Sequence, residues 1–341
     1  MERSGNIIKF TVITISFAAL MLLDLNTGHI KIPFREILKF LTFSNNVSES
    51  YVTLIKEFRF PRVFAAIISG AALSVSGLIM QTIFRNPLAG PYVLGVSSGA
   101  SLGVAIVVLG SSVFYNIPLA SYSNGVVLLA AGIGAALVLA LILSISARVK
   151  DILSILIIGI LVSGVVNSIV SILQYYANDL NVKSFVVWTM GSLNSVSYKD
   201  ILTLLPLTTI TLFFVFMLSK PLNLLLPGES FAKTMGVNIS RLRIFIFIIV
   251  SILTGTVTAY CGPLGFIGVA VPHVARWLFN TSNHFILVPA TIIIGAIFML
   301  FGDILTHIIS SHGILPINAI TAILGAPFII WIVVKNKRTI V

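Results

Sequence analysis

Two arginines bracket a proline in Arg59-Phe60-Pro61-Arg62, at the mouth of an apolar stretch that runs to Gln81. Beyond it come Arg85, the turn Asn86-Pro87-Leu88-Ala89-Gly90-Pro91, and then Gly95, Ser97, Ser98, Gly99 and Gly103, opening a second apolar stretch. Guanidiniums fixed at a helix end do one of two things. They snorkel and anchor the helix at a membrane interface, or they form a positive patch that receives the carboxylates of an external partner. Pro61 is suited to the first turn of a helix and would present both arginines rigidly. The segment after Gln81 also has two readings. It is a tight turn followed by small residues that let helices approach closely, or a rigid elbow at Asn86-Pro87 that aims a helix N-terminus at a central path. In the second case the Gly/Ser face would pass a large solute without gripping it.

Nothing nearby makes or breaks bonds. His29, His273, His284, His307 and His312 have no metal-ligand spacing, and the helical zinc pattern H-E-x-x-H is absent. No G-x-x-x-x-G-K-[S/T] occurs, so the chain does not hold ATP through a phosphate loop of its own. Acids inside the apolar stretches are nearly missing, with Asp303 alone near the end of one; an ion-driven carrier shows intramembrane carboxylates, so the energy source lies elsewhere. The connector Leu222–Gly236 offers an attachment point. Pro227-Gly228 breaks the chain, and Glu229 to Met235 reads as a two-turn helix with its acid at the favourable N-terminal end and Gly236 closing it. Phe231 and Met235, four residues apart, would share one face. That helix either docks in a groove of a partner or packs on its own bundle.

The elements that must hold these residues are membrane spans. Of 341 residues 57% are hydrophobic and 9% charged, where a soluble domain carries about a quarter charged. Mean hydropathy is +1.09. The expected class is an all-α polytopic membrane protein, a single domain over 1–341, with about ten transmembrane helices at 7–25, 61–83, 92–110, 124–146, 152–176, 201–219, 243–260, 266–279, 286–302 and 317–334. Residues 304–313 read as a further broken helix near one face. The strand alternation of a membrane barrel is absent. Asp24-Leu25-Asn26 offers no small-x-small cleavage site, so the first apolar run reads as a retained helix. Cys261, the only cysteine, reads as a small packing residue. The net charge of +11 is scattered over short loops without interleaved aromatics, which argues against nucleic acid. With the N-terminus inside and ten alternating spans, 13 of the 21 Lys and Arg and 3 of the 10 acids fall inside; this bias puts both termini in the cytoplasm. The connector 26–58 would lie along the outer surface. Residues 59–103 and 241–276 share an order of arginine, apolar helix, proline break and glycine-rich restart, a faint inverted-topology repeat.

Four ordered blocks make the chain resemble the FecCD-type family of ABC-importer permeases, over Arg59 to Lys335. The first block is similar to the family's R-x-P-R…G-A-x-L-x-x-S-G…Q…N-P-L-A-x-P-x-x-L-G-x-S-x-G-A. Leu222–Gly236 resembles its L-N-L-L-x-x-G-E-x-x-A-x-x-x-G; Gly265–Arg276 resembles its G-F-[I/V]-G-L-x-x-P-H-x-x-R; Gly325-Ala-Pro-Phe328 resembles its closing G-A-P-x-F. The resemblance implies a dimer with a second permease subunit, identical or paralogous, in a bacterial cell membrane. It implies an ATP-binding-cassette ATPase subunit that carries the ATP-Mg, no cofactor bound by this chain, and an extracellular substrate-binding protein. Arg59 and Arg62 match positions that pair with glutamates of that protein, and Gly228, Glu229, Ala232 and Gly236 fall in the region that contacts the ATPase. Two departures stand out: a late family arginine is here His307, and the family's E-L-P-x-G is Ile314-Leu-Pro-Ile-Asn318. The expected cargo is a metal chelate, a ferric siderophore first, with haem or cobalamin as alternatives. A secondary carrier working alone and a non-transporting scaffold are the readings from other classes; Gln81 and Asn86 within small-residue spans count against the scaffold.

Overall fold

The computed structural model describes residues 2–28, 30, 32–42, 48–110, 124–146, 148–149, 151–309 and 315–335. All of its regular structure among these residues is helical. In chain order come α1 (Glu2–Asn26), α2 (Phe34–Leu41) and α3 (Glu49–Thr53), which runs through a π-helical turn, Leu54–Arg59, into α4 (Phe60–Ile83). A 3-10 turn, Pro91–Leu94, leads into α5 (Val96–Val108), followed by α6 (Asn124–Ser146), α7 (Ile152–Tyr176), α8 (Asp179–Thr189) and α9 (Tyr198–Met217). Two short helices, α10 (Ser219–Leu225) and α11 (Glu229–Thr234), precede α12 (Ile239–Cys261), α13 (Ile267–Phe279), α14 (His284–Ile308) and α15 (Ile317–Lys335).

Each of the ten expected spans is one of these helices. Seven are long and apolar enough to cross a bilayer, and α5, α13 and α15 are shorter apolar helices. Helix is forced here because hydrocarbon offers no partner for a free backbone amide. Where the amides at a helix start lack carbonyls, side chains supply them. Asp151 accepts from Leu153 and Ser154 at α7, and Asn238 accepts from Arg241 at α12. Ser197 and Asp200 close a reciprocal box at α9.

α4 is the buried axis. It packs most heavily on α14, and α12 packs on α6. These are equivalent partners with the halves exchanged, second span on ninth and seventh on fourth. α4 starts at one end of the bundle and α12 at the other, which is the inverted repeat anticipated from the break pattern. The close approach depends on glycine: a Cβ on Gly70 would overlap the Gly295 carbonyl, and one on Gly77 would overlap that of Gly268. Without a hydrophobic drive between helices in lipid, such backbone contact is a main source of association.

Three expectations change. Residues 304–308 continue α14 rather than form a separate broken helix, while 310–314 lie outside the described residues. α8 was not anticipated. The 26–58 connector does not simply lie along the surface, because from Glu49 onward it continues helically into α4. Below, the end of the bundle carrying Asn26, Phe60 and Ile308 is called outer and the end carrying Ile83, Ile239 and His284 inner, following the charge bias.

Candidate functional site

At the outer end, Arg59 and Arg62 are both buried, 6% and 4% exposed. Arg59 donates to the carbonyls of Leu25 (2.8 Å) and Asn26 (3.1 Å) and also to that of Ile30. Arg62 donates to the carbonyls of Asp24 (2.8 Å) and Thr27 (3.0 Å). The last carbonyls of a helix have no intrahelical donor, and the negative end of its dipole attracts a cation. The two arginines are therefore the cap of α1. The side chains turn inward because α1 ends beside them.

Arg62 also carries the local charge balance. Its guanidinium lies 3.2 Å from Asp24 Oδ1 and 2.9 Å from Asp303 Oδ2, the second a close ionic contact rather than an aligned hydrogen bond. Its Nη1 sits 2.9 Å from His307 Nε2. A guanidinium can only donate, so Nε2 accepts and the ring proton sits on Nδ1, 3.0 Å from the Asp303 carbonyl. His307, expected as a docking contact, is an acceptor inside the bundle. An arginine at this position would set a second cation against Arg62.

The elbow is equally well bonded. Gln81, 4% exposed, donates to the Val269 carbonyl at 3.2 Å and accepts from Arg276 at 2.5 Å. Asn86 closes its own turn by accepting from the Leu88 amide (2.9 Å), and the Pro87 carbonyl lies 2.8 Å from His273 Nε2. Gly95 takes the left-handed conformation (φ +73°) that starts α5. The Gly/Ser face lies close against neighbouring helices. A Cβ on Gly99 would lie 2.5 Å from the Gly134 carbonyl, and one on Gly95 would lie 3.0 Å from Ser163 Oγ. Ser97 is buried and Ser98 half-buried. α6 and α7 fill the space that the glycines leave. A groove of about 370 Å³ lies elsewhere, between α6, α9 and α12.

At the inner end α11 has two faces. Ala232 is fully buried, and Glu229 pairs with Arg243 of α12 at 3.2 Å. Gly228 (φ +141°) opens the helix against the Arg85 guanidinium, and Gly236 (φ +84°) ends it. Phe231 and Met235 stand 45% and 58% exposed. The two readings of this connector are compatible: one face packs on the bundle and the other is left apolar and uncovered. Among the described residues no cluster of histidine, cysteine and acidic side chains could hold a metal.

These features have counterparts in known proteins. The model of the FecCD transport family matches residues 16–335. The chain belongs to the FecCD transport family. It is 32% identical over 86% of both chains to a Helicobacter pylori protein named as a probable iron chelatin transport system permease. It is 30% identical to the hemin transport system permease protein of Yersinia pestis, covering 92% of this chain and 91% of that one. It is 33% identical to the vitamin B12 import system permease protein of Klebsiella pneumoniae over 83% of each. A solved structure described as an inward-facing, metal-chelate type ABC transporter superposes with a TM-score of 0.84 at 28% identity, covering 96% of this chain and 99% of that one.

In this FecCD chain the first motif block runs from the cap of α1 to the elbow, the second forms the α10–α11 connector, the third starts α13, and the fourth lies on α15, where Gly325 packs on Phe266. Residues that sequence reasoning missed complete each place. Asp24, counted with the outer loop, is fully buried in the last turn of α1. Asp24 and Asp303 are fully buried acids of long apolar helices, where acids are expensive, and the arginines placed at the same end were the available signal that each acid had a partner. Thr82, Asn223, Arg243, Arg276 and His284 gave no comparable signal.

Proposed function

We propose that the chain is the membrane-spanning permease of an ATP-driven importer for a metal chelate, with a ferric siderophore as cargo and haem or cobalamin as the second reading. Whole-length superposition on a transporter of metal-chelate type carries the proposal. The relatives named for iron chelatin, hemin and vitamin B12 are consistent with that substrate class. The cargo preference within it rests on the iron chelatin relative. The chain would sit in a bacterial cell membrane with both termini cytoplasmic.

Three surfaces of this chain support the partner assignments. Exposed Phe231 and Met235 give a separate ATPase subunit, which would hold the ATP-Mg, an apolar anchor pair at α-helical spacing. The outer ends of α1, α4 and α14, locked together around Arg62, form a rigid platform for an external binding protein. Arg59 and Arg62 would act in docking by holding that platform. α7 is largely unburied and exposes Gly164, Asn167, Ser168 and Ser171 along a membrane helix. Polar groups placed there face a water-filled path or another helix rather than lipid, which suits the seam with a second permease subunit.

The test is uptake of a radioiron-loaded siderophore into vesicles containing the permease, its ATPase and its binding protein. Phe231→Glu with Met235→Glu should abolish ATP-dependent uptake while the permease still reaches the membrane. Uptake driven by an ion gradient with no ATPase present would reject the proposal.

A further inference from the structure

The inner end holds a hydrogen-bonded relay that joins the α10–α11 connector to the bundle axis. Asn223 Oδ1 of α10 accepts from the backbone amide of His284 at 2.8 Å and lies 2.8 Å from His284 Nδ1. Asn223 Nδ2 donates to Asn283 Oδ1 at 2.8 Å, and Asn283 in turn caps α14 through the Phe285 amide. His284, 1% exposed, places Nε2 2.8 Å from Thr82 Oγ1 of α4. A neutral ring fits both ends when Nδ1–H donates to Asn223 and Nε2 accepts the Thr82 hydroxyl proton, for which the Leu78 carbonyl at 2.9 Å competes. Three elements thus meet at one buried imidazole.

α4 and α14 are already bolted to each other. They pair through Arg62 with Asp303 and His307 at the outer end, through the Ser74 hydroxyl on the Thr291 carbonyl (3.0 Å) in the middle, and through Thr82 with His284 at the inner end. The outer and inner bolts are roughly 30 Å apart at 1.5 Å per residue. Displacement of the pair at its inner end therefore moves its outer end as well. α11 follows α10 across the break at Gly228, so a push on α11 reaches His284 through Asn223.

We infer that Asn223, His284 and Thr82 are positioning residues that transmit motion of the α10–α11 connector to the α4–α14 pair. The inference rests on the reading of the chain as an ATPase-driven permease, and two measurements separate the two ideas. The first needs no transport. In nanodiscs, Asn223→Leu and His284→Phe should raise amide exchange over 222–236 by about fivefold, the effect of one lost hydrogen bond, while Thr82→Ser should not. Unchanged exchange in both overturns the clamp, whatever the chain carries.

The second uses the permease–ATPase assembly with spin labels on Ile308→Cys and Ile83→Cys of this chain. ATP with vanadate should shift the label distance in the parent. Thr82→Val and His284→Phe should hydrolyse ATP at the parent rate yet lose the shift by about fivefold or more, and Thr82→Ser should restore it. A full shift in Thr82→Val and His284→Phe overturns the inference, as does a loss of shift that only tracks loss of hydrolysis. A parent assembly that hydrolyses no ATP would instead refute the functional reading, with the exchange measurement still deciding the clamp.

Discussion

The two ends of the α4–α14 pair are held by opposite chemistry. The outer end is ionic: Arg62 lies among Asp24, Asp303 and His307, all removed from water. The inner end is neutral: Thr82, His284 and Asn223 exchange ordinary hydrogen bonds. A buried ion cluster behaves as all or nothing, because removing one member leaves the others as uncompensated charges. A neutral relay loses its links one at a time, each at a modest cost. The difference suits an outer end that must keep one shape and an inner end whose grip can be adjusted.

The sharpest way to break that comparison is Arg62→Ala, which strands two carboxylates and should cost about 3–5 kcal/mol, read as a fall in thermal unfolding temperature or loss of folded protein in detergent. Arg62→Met combined with Asp24→Asn and Asp303→Asn should recover most of it; no recovery would show that the α1 cap matters more than charge. Gly70→Ala, which forces α4 off α14 between the two ends, should cost about 1–3 kcal/mol and raise exchange along both helices. Thr82→Val should cost only about 1 kcal/mol; a loss as large as that of Arg62→Ala would erase the contrast. Glu229→Gln, at a pair with one partner a third exposed, should change stability by less than about 1 kcal/mol.

The smallest effect concerns Asp151. The Ser154 hydroxyl and then the Ser154 amide hold its carboxyl below the usual range. The stabilisation of the start of α7 is therefore complete above the ordinary aspartate pKa and disappears as pH falls through the lowered value. The protection factors of the Leu153 and Ser154 amides, with intrinsic exchange at each pH divided out, should fall on acidification over that window, and Asp151→Ala should show the low protection at all pH.

The spans were legible because runs of about 20 apolar residues admit little else; even the short α13 was placed within one residue of its observed ends. α8 was not legible. In its 11 residues polar and apolar side chains mix so that neither hydropathy nor helical periodicity stands out. The arginine pair was found by type and spacing, but its burial was not, since Leu25, Asp24, Asp303 and His307 are far away in sequence. Counting Asp24 among the outer acids, although the span 7–25 contains it, hid the clearest clue. The connector helix, by contrast, was legible from Pro227-Gly228, Glu229 and Gly236, and the pairing of Phe231 with Met235 followed from their spacing, because a two-turn helix keeps its partners local.

The capping of α1 by Arg59 and Arg62 has a consequence for how the chain is made. Arg62 leaves the ribosome while Asp303 is still roughly 240 residues from being added, about 10–50 s at ordinary rates of synthesis. During that interval α4 must enter the membrane with its guanidiniums uncompensated by the late helix. α1 is already there, carrying Asp24 and a row of carbonyls without donors. The first helix therefore serves as a provisional counter-charge that lets an arginine-tipped helix insert early and wait for its permanent partner.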